Sequence, residues 1–313
     1  MTTRKRAQKT FDSITDTIGN TPIVRLKRLE RLHRTQTQLY AKLEFFNPLG
    51  SIKDRVGIAL IRDMQKKHML KSNGVLVEAM SSNTGIGIAF AAASVGLRSV
   101  VVVSESVTSE RKKTLLILGA RILFSSRRKG IEAASKLATK FGKHVPLAAT
   151  VSQFENRANC EAHKQTTARE ILRDIGCVDY IVIGVGTGGT LTGVAEVVKR
   201  KCANTKIVAV EPWRSSVLSG KRPKAHRIQG IGAGFIPKIL NLEAIDYVYR
   251  VKDREALKCA KLIARTEGIP VGPSSGAALC AGVSLAVSLN DINKRVLMIL
   301  PSFAEACAPN QTV

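Results

Sequence analysis

The chain is organised around residues 47–55, which read N-P-L-G-S-I-K-D-R. The Asn-Pro and Gly of this stretch predict a loop, and the apolar-periodic residues 56–61 predict that a helix follows it. Ser51 is a candidate N-cap of that helix, so Lys53 would lie in its first turn. Because the positive end of a helix dipole disfavours an ammonium group, Lys53 should lose its proton more easily than a free lysine, especially when desolvated.

A neutral amine at Lys53 can form a Schiff base with a carbonyl compound, and this is the functional interpretation of the stretch. The bland interpretation is a solvated surface lysine beside two further charges, Asp54 and Arg55. For a lone lysine the bland interpretation is favoured, so the choice depends on the rest of the chain.

The length and composition of the chain indicate a globular protein. Its 313 residues suffice for two domains of ordinary size, and 44% of them are apolar, enough for a sizeable core. No apolar run reaches the ~18 residues of a membrane-spanning helix, and the basic residues 1–10 lack the apolar segment of a secretory signal. Neither a membrane association nor secretion is therefore predicted.

The six cysteines, at positions 160, 177, 202, 259, 280 and 307, form no C-x-x-C pair. Their spacing to the five histidines fits no zinc site, so no metal is predicted. We expect these cysteines to be free thiols in a reducing compartment. Together with the lack of a secretory signal, this predicts a cytoplasmic protein.

The chain is strongly basic, with 49 Lys and Arg against 24 Asp and Glu and a formal net charge of +25. Such a field attracts anions, including nucleic acids and phosphorylated ligands. The basic residues are dispersed, however, and aromatic residues make up 4% of the chain, too few for base-stacking platforms. Dedicated nucleic-acid binding is therefore not predicted, and the charge is interpreted as a solvated basic surface.

Strand and helix patterns alternate along the chain, which indicates an α/β fold built on parallel sheets. The near-continuous apolar residues 99–104 are typical of a parallel strand covered on both faces. Two successive series predict two lobes with a boundary near residue 155, and residues 159–175 are predicted as one helix. The predicted strands are residues 21–26, 38–44, 74–78, 99–104, 121–124, 178–184, 206–211, 247–251 and 295–300.

Four loops that follow strands and precede helices are rich in Gly, Ser and Thr. Ligands bind at the carboxyl ends of the strands in open α/β sheets, so these loops predict one binding site. They are the loop before Lys53 and residues 81–85, 186–190 and 272–276.

The loop at residues 184–190, G-V-G-T-G-G-T, has the composition of a phosphate cradle. Its glycines let backbone N–H groups approach an anion, and the following helix adds its positive end. The loop also fits an NAD site, because Gly184, Gly186 and Gly189 match G-x-G-x-x-G and Glu211 lies where a ribose-binding acid is expected. A tight turn without any ligand is the third interpretation.

The first half of the chain separates these interpretations. A nicotinamide enzyme needs no lysine at a helix start facing an Asn/Ser/Thr loop. A pyridoxal phosphate enzyme needs a lysine for the aldehyde, a phosphate cradle, and hydroxyl or amide groups for the ring and the substrate carboxylate. The four loops together therefore favour pyridoxal 5'-phosphate as the cofactor.

Nine blocks of sequence, in order, resemble the cysteine synthases (O-acetylserine sulfhydrylases), which are fold type II pyridoxal phosphate enzymes. The likeness extends from about residue 11 to residue 305. The blocks are IGNTPIVRL (18–26), KLEFFNPLGSIKDRVG (42–57), SSNTGIGIAFAAASVG (81–96), QFENRAN (153–159), GVGTGGTLTGV (184–194), VEPWRSSVLSG (210–220), HRIQGIGAGFIP (226–237), GPSSGAA (272–278) and LPSF (300–303).

The resemblance implies two open, twisted, mostly parallel sheets flanked by helices, with the active site between the lobes. The N-terminal lobe, residues 1–155, would carry the Schiff-base lysine and the substrate loop. Roughly its first 45 residues are candidates to pack on the other lobe. The C-terminal lobe, residues 156–313, would carry the phosphate-binding glycine loop.

The resemblance also implies roles for individual residues. Lys53 would hold the cofactor and later take the α-proton of the substrate. Asn83 would hydrogen-bond the ring hydroxyl, and Ser274 would face the pyridine nitrogen. The cofactor phosphate would bind a run of five residues, Gly186, Thr187, Gly188, Gly189 and Thr190. The substrate carboxylate would bind Ser81, Thr84 and Gln153.

The implied reaction is replacement of the acetoxy group of O-acetyl-L-serine by sulfide, which gives L-cysteine and acetate. A homodimer is implied, and a serine acetyltransferase is a candidate partner. Two alternatives stay open. One is a related β-replacement enzyme of the O-phosphoserine, cyanoalanine or cystathionine type, and the other is a weakly active cysteine-synthase-like sensor or binding protein.

Some positions depart from the family pattern. Met80 and Ser82 replace a Thr and a Gly of the substrate loop, and residues 304–307 replace Gly-Glu-Arg-Tyr. Loss of the Thr hydroxyl should cost about 1.5–3 kcal/mol, or roughly tenfold to a hundredfold in substrate binding or rate. The sequence therefore predicts an intact cofactor site beside an altered substrate loop and C-terminus.

Overall fold

The computed structural model of the protein describes residues 10–71, 73–80, 83–105, 107–125 and 130–304. Within these residues the strands form two sheets, and helices cover both faces of each. This arrangement confirms the predicted α/β fold of open, mostly parallel sheets flanked by helices.

The larger sheet has six strands in the order β1-β2-β10-β7-β8-β9. β1 is antiparallel to β2, and every other neighbouring pair is parallel. The carboxyl ends of the five parallel strands therefore lie at one edge of the sheet. The strands are β1 (Ile23–Arg25), β2 (Gln38–Leu43), β7 (Tyr180–Gly184), β8 (Lys206–Pro212), β9 (Tyr247–Val251) and β10 (Arg295–Leu300).

The smaller sheet has four parallel strands in the order β5-β4-β3-β6. They are β3 (Val75–Met80), β4 (Arg98–Ser104), β5 (Arg121–Ser125) and β6 (Ala148–Thr150). The helices are α1 (Lys27–Leu32), α2 (Lys53–Lys66), α3 (Thr84–Ser94), α4 (Ser109–Ile117), α5 (Gly130–His144), α6 (Ala158–Gln165), α7 (Thr167–Asp174), α8 (Gly189–Lys201), α9 (Asp253–Glu267) and α10 (Pro273–Leu289).

The cores lie between the sheets and their helices. Strand β4 illustrates this in the smaller sheet, because Val101 packs with α3 on one face and Val102 packs with α5 on the other. In the larger sheet, Met298 of β10 belongs to the core beneath α9 and α10, whereas Ile181 of β7 belongs to the core beneath α7 and α8. Both faces of each sheet are therefore buried, as the apolar strand at residues 99–104 predicted.

Three details differ from the sequence-based expectations. Strand β6 and helix α1 were not predicted, because three and six residues are too short for a clear periodic pattern. The predicted helix at residues 159–175 is two helices, α6 and α7, divided at Thr166. The Thr166 hydroxyl donates to the Ala162 carbonyl at 2.6 Å, a local bond of the kind that bends helices.

Strands β1 and β2 lie in the larger sheet, although they precede the smaller sheet in the chain. The chain then builds the smaller sheet with β3 to β6 and returns to the larger one at β7. Residue 155 falls between β6 and α6. The division into lobes at residues 1–155 and 156–313 stays a prediction.

Two cysteines are joined in a disulfide, so the prediction of free thiols is wrong for Cys177 and Cys202. Cys177 precedes β7 and Cys202 precedes β8, and the pairing of these neighbouring parallel strands brings their ends together. A sequence separation of 25 residues gave no local signal of the bond. Cys160, Cys259 and Cys280 are free, and Cys307 lies outside the described residues.

Two further sequence expectations concern absences. In the part of the chain that the structure describes, no helix is long and apolar enough to cross a membrane. The same ranges contain no group of His, Cys, Asp and Glu side chains arranged to hold a metal ion.

A buried ion network connects α2 to the segment that follows β2 and to helix α7. Arg55 of α2 contacts Glu44 at 2.7 Å and Glu170 of α7 at 2.6 Å, and Lys42 of β2 contacts Glu170 at 2.8 Å. Burial opposes the charge of Arg55, but Glu44 and Glu170 outweigh it and raise the Arg55 pKa. Burial likewise opposes ionisation of Glu170, but Arg55 and Lys42 lower its pKa to about 2. The charged forms of Arg55 and Glu170 are therefore favoured.

Candidate active site

Lys53 begins α2 at the carboxyl edge of the larger sheet. Ile52 occupies the N-cap position and Ser51 precedes it, so the predicted cap is displaced by one residue. The Ser51 hydroxyl nevertheless accepts a hydrogen bond from the Lys53 backbone N–H at 3.2 Å. The Ile52 N–H donates to the Pro301 carbonyl just beyond β10 at 2.8 Å. These bonds fix the start of α2 against the centre of the sheet.

Helices α2 and α3 meet along their backbones next to Lys53. A Cβ atom on Gly57 would lie 2.2 Å from the Gly87 carbonyl oxygen, and one on Gly87 would lie 2.5 Å from the Lys53 carbonyl oxygen. Since real Cβ atoms do not approach so closely, only glycine permits this contact. The two glycines therefore set the distance between the helix that carries Lys53 and the helix that follows Asn83.

Lys53 is half-buried, and desolvation by the surrounding protein lowers its pKa from 10.5 to about 8. The direction agrees with the sequence-based expectation, and desolvation is its cause. With this pKa roughly a fifth of the amine is neutral near pH 7.4, compared with about one part in a thousand for a free lysine. Lys53 can therefore act both as a nucleophile toward an aldehyde and as a general base.

Three cavities meet at Lys53. A cavity of about 280 Å³ is lined by Asn83 and Ser274, and one of about 30 Å³ is lined by the glycine loop at 184–190. The third, of about 1130 Å³, is lined by Thr84 and Gln153. The structure thus brings the predicted ring-binding, phosphate-binding and substrate-binding residues together around one amine. Ser81 lies outside the described residues.

The glycine loop has the shape that a compact anion requires. Gly188 has a φ of +84°, a conformation that side chains disfavour. A Cβ atom on Gly186 would lie 2.4 Å from the Gly230 carbonyl oxygen, so the backbone is packed too closely for any side chain there. Helix α8 begins at Gly189 and directs its positive end at the 30 Å³ cavity. The site therefore fits a phosphate group.

The two threonines of this loop are fixed by buried side chains. The Thr187 hydroxyl accepts from Asn159 Nδ2 at 3.0 Å. The Thr190 hydroxyl hydrogen-bonds to His163 Nε2 at 3.1 Å. Burial, together with the charge of Lys53, lowers the pKa of His163 well below its ordinary value, so the imidazole is neutral. Neither Asn159 nor His163 was singled out by sequence reasoning, although Asn159 ends the block QFENRAN.

The residues on the ring side are held by neighbours from other elements. Ser274 lies in the first turn of α10, 4% exposed, and its neutral hydroxyl faces Gly230. Asn83 occupies the N-cap position of α3, and its Oδ1 accepts from Arg111 Nη2 at 3.3 Å. Sequence reasoning missed Arg111, which belongs to no recognisable motif but lies on α4 and lines the same cavity as Asn83.

Glu211 argues against an NAD site. Its carboxylate accepts from the Leu218 and Ser219 backbone N–H groups at 2.8 and 3.1 Å and from the Ser219 hydroxyl at 2.5 Å. The side chain is 1% exposed. Because these bonds hold the carboxylate inside the fold, it is not available to a ribose.

The chain matches the family model described as "Pyridoxal-phosphate dependent enzyme" over residues 14–302. It belongs to this pyridoxal-phosphate dependent enzyme family. A cysteine synthase of Staphylococcus aureus is 41% identical over 305 residues, which cover 96% of both proteins. The resemblance to cysteine synthases is thereby confirmed, and the NAD interpretation is wrong.

Solved structures of the same family superpose closely on this chain. A cysteine synthase (OASS) from Entamoeba histolytica has a TM-score of 0.90 and 36% identity, covering 97% of this chain and 91% of that one. An O-ureido-L-serine synthase has a TM-score of 0.89 and 34% identity, covering 94% of this chain and 92% of that one. A cysteine synthase and an O-ureido-L-serine synthase are therefore about equally similar to this chain in sequence and in structure.

Met80, a departure from the family pattern, packs into the core. It is 1% exposed and belongs to a cluster with Ala89, Val101 and Leu115. A Cβ atom on Gly85 would lie 2.5 Å from the Met80 sulfur, so the side chain also fills the space beside α3. The methionine thus contributes to packing where the family pattern has a hydroxyl. Ser82 lies outside the described residues, and the cost assigned to the lost hydroxyl at Met80 stays a prediction.

The Lys53 pKa predicts how the cofactor-free protein of this pyridoxal-phosphate dependent family takes up pyridoxal phosphate. Only the neutral amine reacts, and its population falls about tenfold per pH unit below the pKa. With a pKa of about 8, the uptake rate should rise with pH and level off above that value. Stopped-flow absorbance measures the rate. A rate that continues to rise toward the ordinary lysine pKa of 10.5 would contradict the burial of this amine.

Proposed function

We propose that the protein is a cysteine synthase that replaces the acetoxy group of O-acetyl-L-serine by sulfide, giving L-cysteine and acetate. The observation that carries the proposal is the position of the desolvated Lys53 amine where three cavities meet. One cavity offers the Asn83 amide and the Ser274 hydroxyl to a ring, and the second offers the glycine loop to a phosphate. The third offers Thr84 and Gln153 to an amino-acid carboxylate. The cysteine synthases among its relatives support the same reaction.

Pyridoxal 5'-phosphate, when bound, supplies the electron sink that acidifies the α-proton of an amino acid. Lys53 would hold the cofactor, and its Nζ would accept that α-proton. The Lys53 pKa of about 8 suits this task, since a general base is most effective near the working pH. The backbone N–H groups at residues 186–190 would hold the phosphate, as α8 directs its positive end toward them.

The ring and the substrate carboxylate would be held by residues that line different cavities at Lys53. Asn83 would donate to the ring hydroxyl, and Ser274 would present a neutral hydroxyl to the pyridine nitrogen. Without a charged partner this nitrogen stays unprotonated, which suits β-elimination. Ser81, Thr84 and Gln153 would bind the carboxylate and draw the smaller lobe over the cavity, which would exclude water.

An assay with both substrates tests the proposed reaction. Purified protein saturated with pyridoxal phosphate is mixed with O-acetyl-L-serine and sulfide, and cysteine and acetate are measured together. We expect the two products in equal amounts. A protein that retains the cofactor but forms neither product would instead support the alternative of a cysteine-synthase-like sensor or binding protein.

A related β-replacement enzyme whose substrate already carries an anionic side-chain group, as O-phospho-L-serine does, is the second candidate. Lys136, Lys224 and His226 line the 1130 Å³ cavity, and no Asp or Glu of the described residues is among its lining side chains. Such a lining attracts anions. Replacing O-acetyl-L-serine by O-phospho-L-serine in the same assay tests this candidate, and cyanide or homocysteine in place of sulfide tests the cyanoalanine and cystathionine types.

We further propose a homodimer in the cytoplasm, with a serine acetyltransferase as a candidate partner. The family resemblance supports the dimer, and sedimentation at twice the chain mass of 33.8 kDa is the expected result. The Cys177–Cys202 disulfide weighs against the location, because disulfides are rare in the cytosol. Counting free thiols in protein isolated under alkylating conditions tests whether this bond exists in the cell.

A further inference from the structure

A pair of buried polar side chains lies at the wall of the 1130 Å³ cavity. Gln153 lines this cavity. Glu78 of β3 lies behind Gln153, contacts its side chain and is 4% exposed. The Gln153 Nε2 donates to the Ala79 carbonyl at 3.2 Å and to Glu78 Oε1 at 3.4 Å. These two bonds use both hydrogens of the amide. In this conformation the amide therefore has none left for a substrate carboxylate.

The backbone of Gln153 is held by a hydrogen bond, so a bound ligand would reorient its side chain rather than its main chain. The Gln153 carbonyl accepts from Asn159 Nδ2 at 2.9 Å, and the same amide group donates to Thr187 in the glycine loop. Ser152, which precedes Gln153, has a φ of +57°. The position of residue 153 is thus tied to the phosphate loop rather than to the substrate.

The bond from Gln153 to Glu78 is the weaker of the two, because 3.4 Å is long for an N–H···O hydrogen bond. A carboxylate that takes one amide hydrogen would therefore displace Glu78 and leave the bond to Ala79. The substrate carboxylate and the Glu78 carboxyl group would then both lie next to the Gln153 amide NH₂ group. Two carboxylates so placed cannot both be ionised without mutual repulsion.

The surroundings of Glu78 favour its neutral form. Burial raises the Glu78 pKa to about 7, against the opposing effect of the backbone N–H groups of Ala79, Gln153 and Ser152 and of the Gln153 amide. Its Oε2 has no hydrogen-bond partner among the described residues. A charged carboxylate would leave that oxygen unsatisfied inside the fold.

The elements around β3 differ in how many titratable residues they contain. Helix α3 and strand β6 contain no titratable residue, and β4 contains Arg98, which pairs with Val75 at the far end of β3. The loop after β6 contains Glu155 and Arg157. Beyond α3, helix α2 contains Lys53, Asp54, Arg55, Arg62, Asp63 and Lys66. On the opposite face, the sequence of α5 contains Glu132, Lys136, Lys140, Lys143 and His144.

We infer that Glu78 is a positioning residue, which binds the Gln153 amide in the free enzyme and releases it to the substrate carboxylate only as a neutral carboxyl group. The inference rests on the proposed function and deepens it, because it identifies a residue through which pH controls substrate binding. Binding to enzyme with an ionised Glu78 takes up one proton. Affinity for the substrate therefore falls as pH rises through the Glu78 pKa.

The test compares the wild type with Glu78→Gln, which mimics the neutral carboxyl group. Between about pH 6.5 and about pH 8.5, we expect the wild-type KM for O-acetyl-L-serine to rise about tenfold more than the KM of the variant. The difference is expected in KM rather than in kcat. Glu155→Gln is the matched control, because it removes an exposed carboxylate from the adjacent loop and should keep the wild-type pH profile.

Calorimetry separates this inference from the proposed reaction. The holoenzyme is titrated with L-serine, which has the carboxylate but no leaving group, in buffers of different ionisation enthalpy. We expect greater proton uptake by the wild type than by Glu78→Gln near pH 8, whether or not O-acetyl-L-serine is turned over. Equal proton uptake, or the same pH dependence of KM in both proteins, would overturn the role of Glu78. Absence of cysteine formation by the wild type would reject the reaction alone.

Discussion

Replacing Lys53 by alanine should lower the rate of cysteine formation at least about a thousandfold, since both the attachment point of the cofactor and the proposed base are lost. Because the protein desolvates this amine, neither water nor a neighbouring side chain should take over its function efficiently. Among the residues that the structure describes, Lys53 is the one lysine that lines all three cavities. Steady-state rates at saturating pyridoxal phosphate measure the loss.

Lys66→Ala is the control for this prediction, because Lys66 lies at the opposite end of the same helix and is exposed. It should retain the wild-type rate. Borohydride reduction followed by peptide mass mapping gives a second measurement, in which the cofactor should be found on the peptide that contains Lys53. Reduced, cofactor-saturated wild-type protein without this label would refute the assignment of Lys53.

Replacing Arg55 by methionine should lower the free energy of unfolding by about 3–5 kcal/mol, because it leaves buried carboxylates without their main partner. Arg55 contacts both Glu44 and Glu170, and the side chain is 2% exposed. Methionine keeps an unbranched apolar stem at this position but lacks the guanidinium group and its charge. Urea unfolding followed by far-ultraviolet circular dichroism measures the change.

Two controls separate the buried network from a general effect of losing an arginine. Arg62→Met removes an exposed arginine from the same helix, and its effect on stability should be within about 0.5 kcal/mol. The double variant with Arg55→Met and Glu170→Gln should recover part of the loss, because one uncompensated charge is removed with its partner. An Arg55→Met protein as stable as Arg62→Met would show that the network contributes nothing.

Acid should weaken the same network. The Glu170 pKa is lowered from 4.5 to about 2 in the folded protein, so the unfolded chain binds more protons between these values. The stabilisation is therefore fully present above pH 4.5 and is lost as pH falls toward 2. In Arg55→Met the Glu170 pKa should rise, which would reduce this part of the acid dependence.

Local patterns in the sequence were sufficient for most of the fold and for the candidate site. The apolar residues 99–104 indicated a covered parallel strand, and the loop at 184–190 indicated a phosphate cradle. Both features depend on neighbours in the chain, because strand burial follows from composition and loop shape from glycine. The nine blocks of family resemblance then brought Lys53, Asn83 and Ser274 into one hypothesis.

Features that depend on distant residues could not be predicted in this way. The disulfide joins Cys177 to Cys202 only because β7 and β8 pair, and Arg55 meets Glu170 across 115 residues of chain. Glu78 resembled any polar residue at the end of a strand until its contact with Gln153 was known. Met80 was interpreted as a missing hydroxyl, whereas its side chain fills a core whose shape no local pattern specifies.

The contact between Gly57 and Gly87 has a consequence for how the amine and the ring stay aligned. Lys53 and Asn83 stand at the starts of two helices whose main chains touch, so the gap between their side chains is set by backbone atoms rather than by flexible groups. A rigid spacer of this kind transmits any widening directly to both ends. Even one added methyl group at either glycine would push the helices apart. It would thereby increase the distance between Lys53 and Asn83 without altering any residue that lines the cofactor pocket.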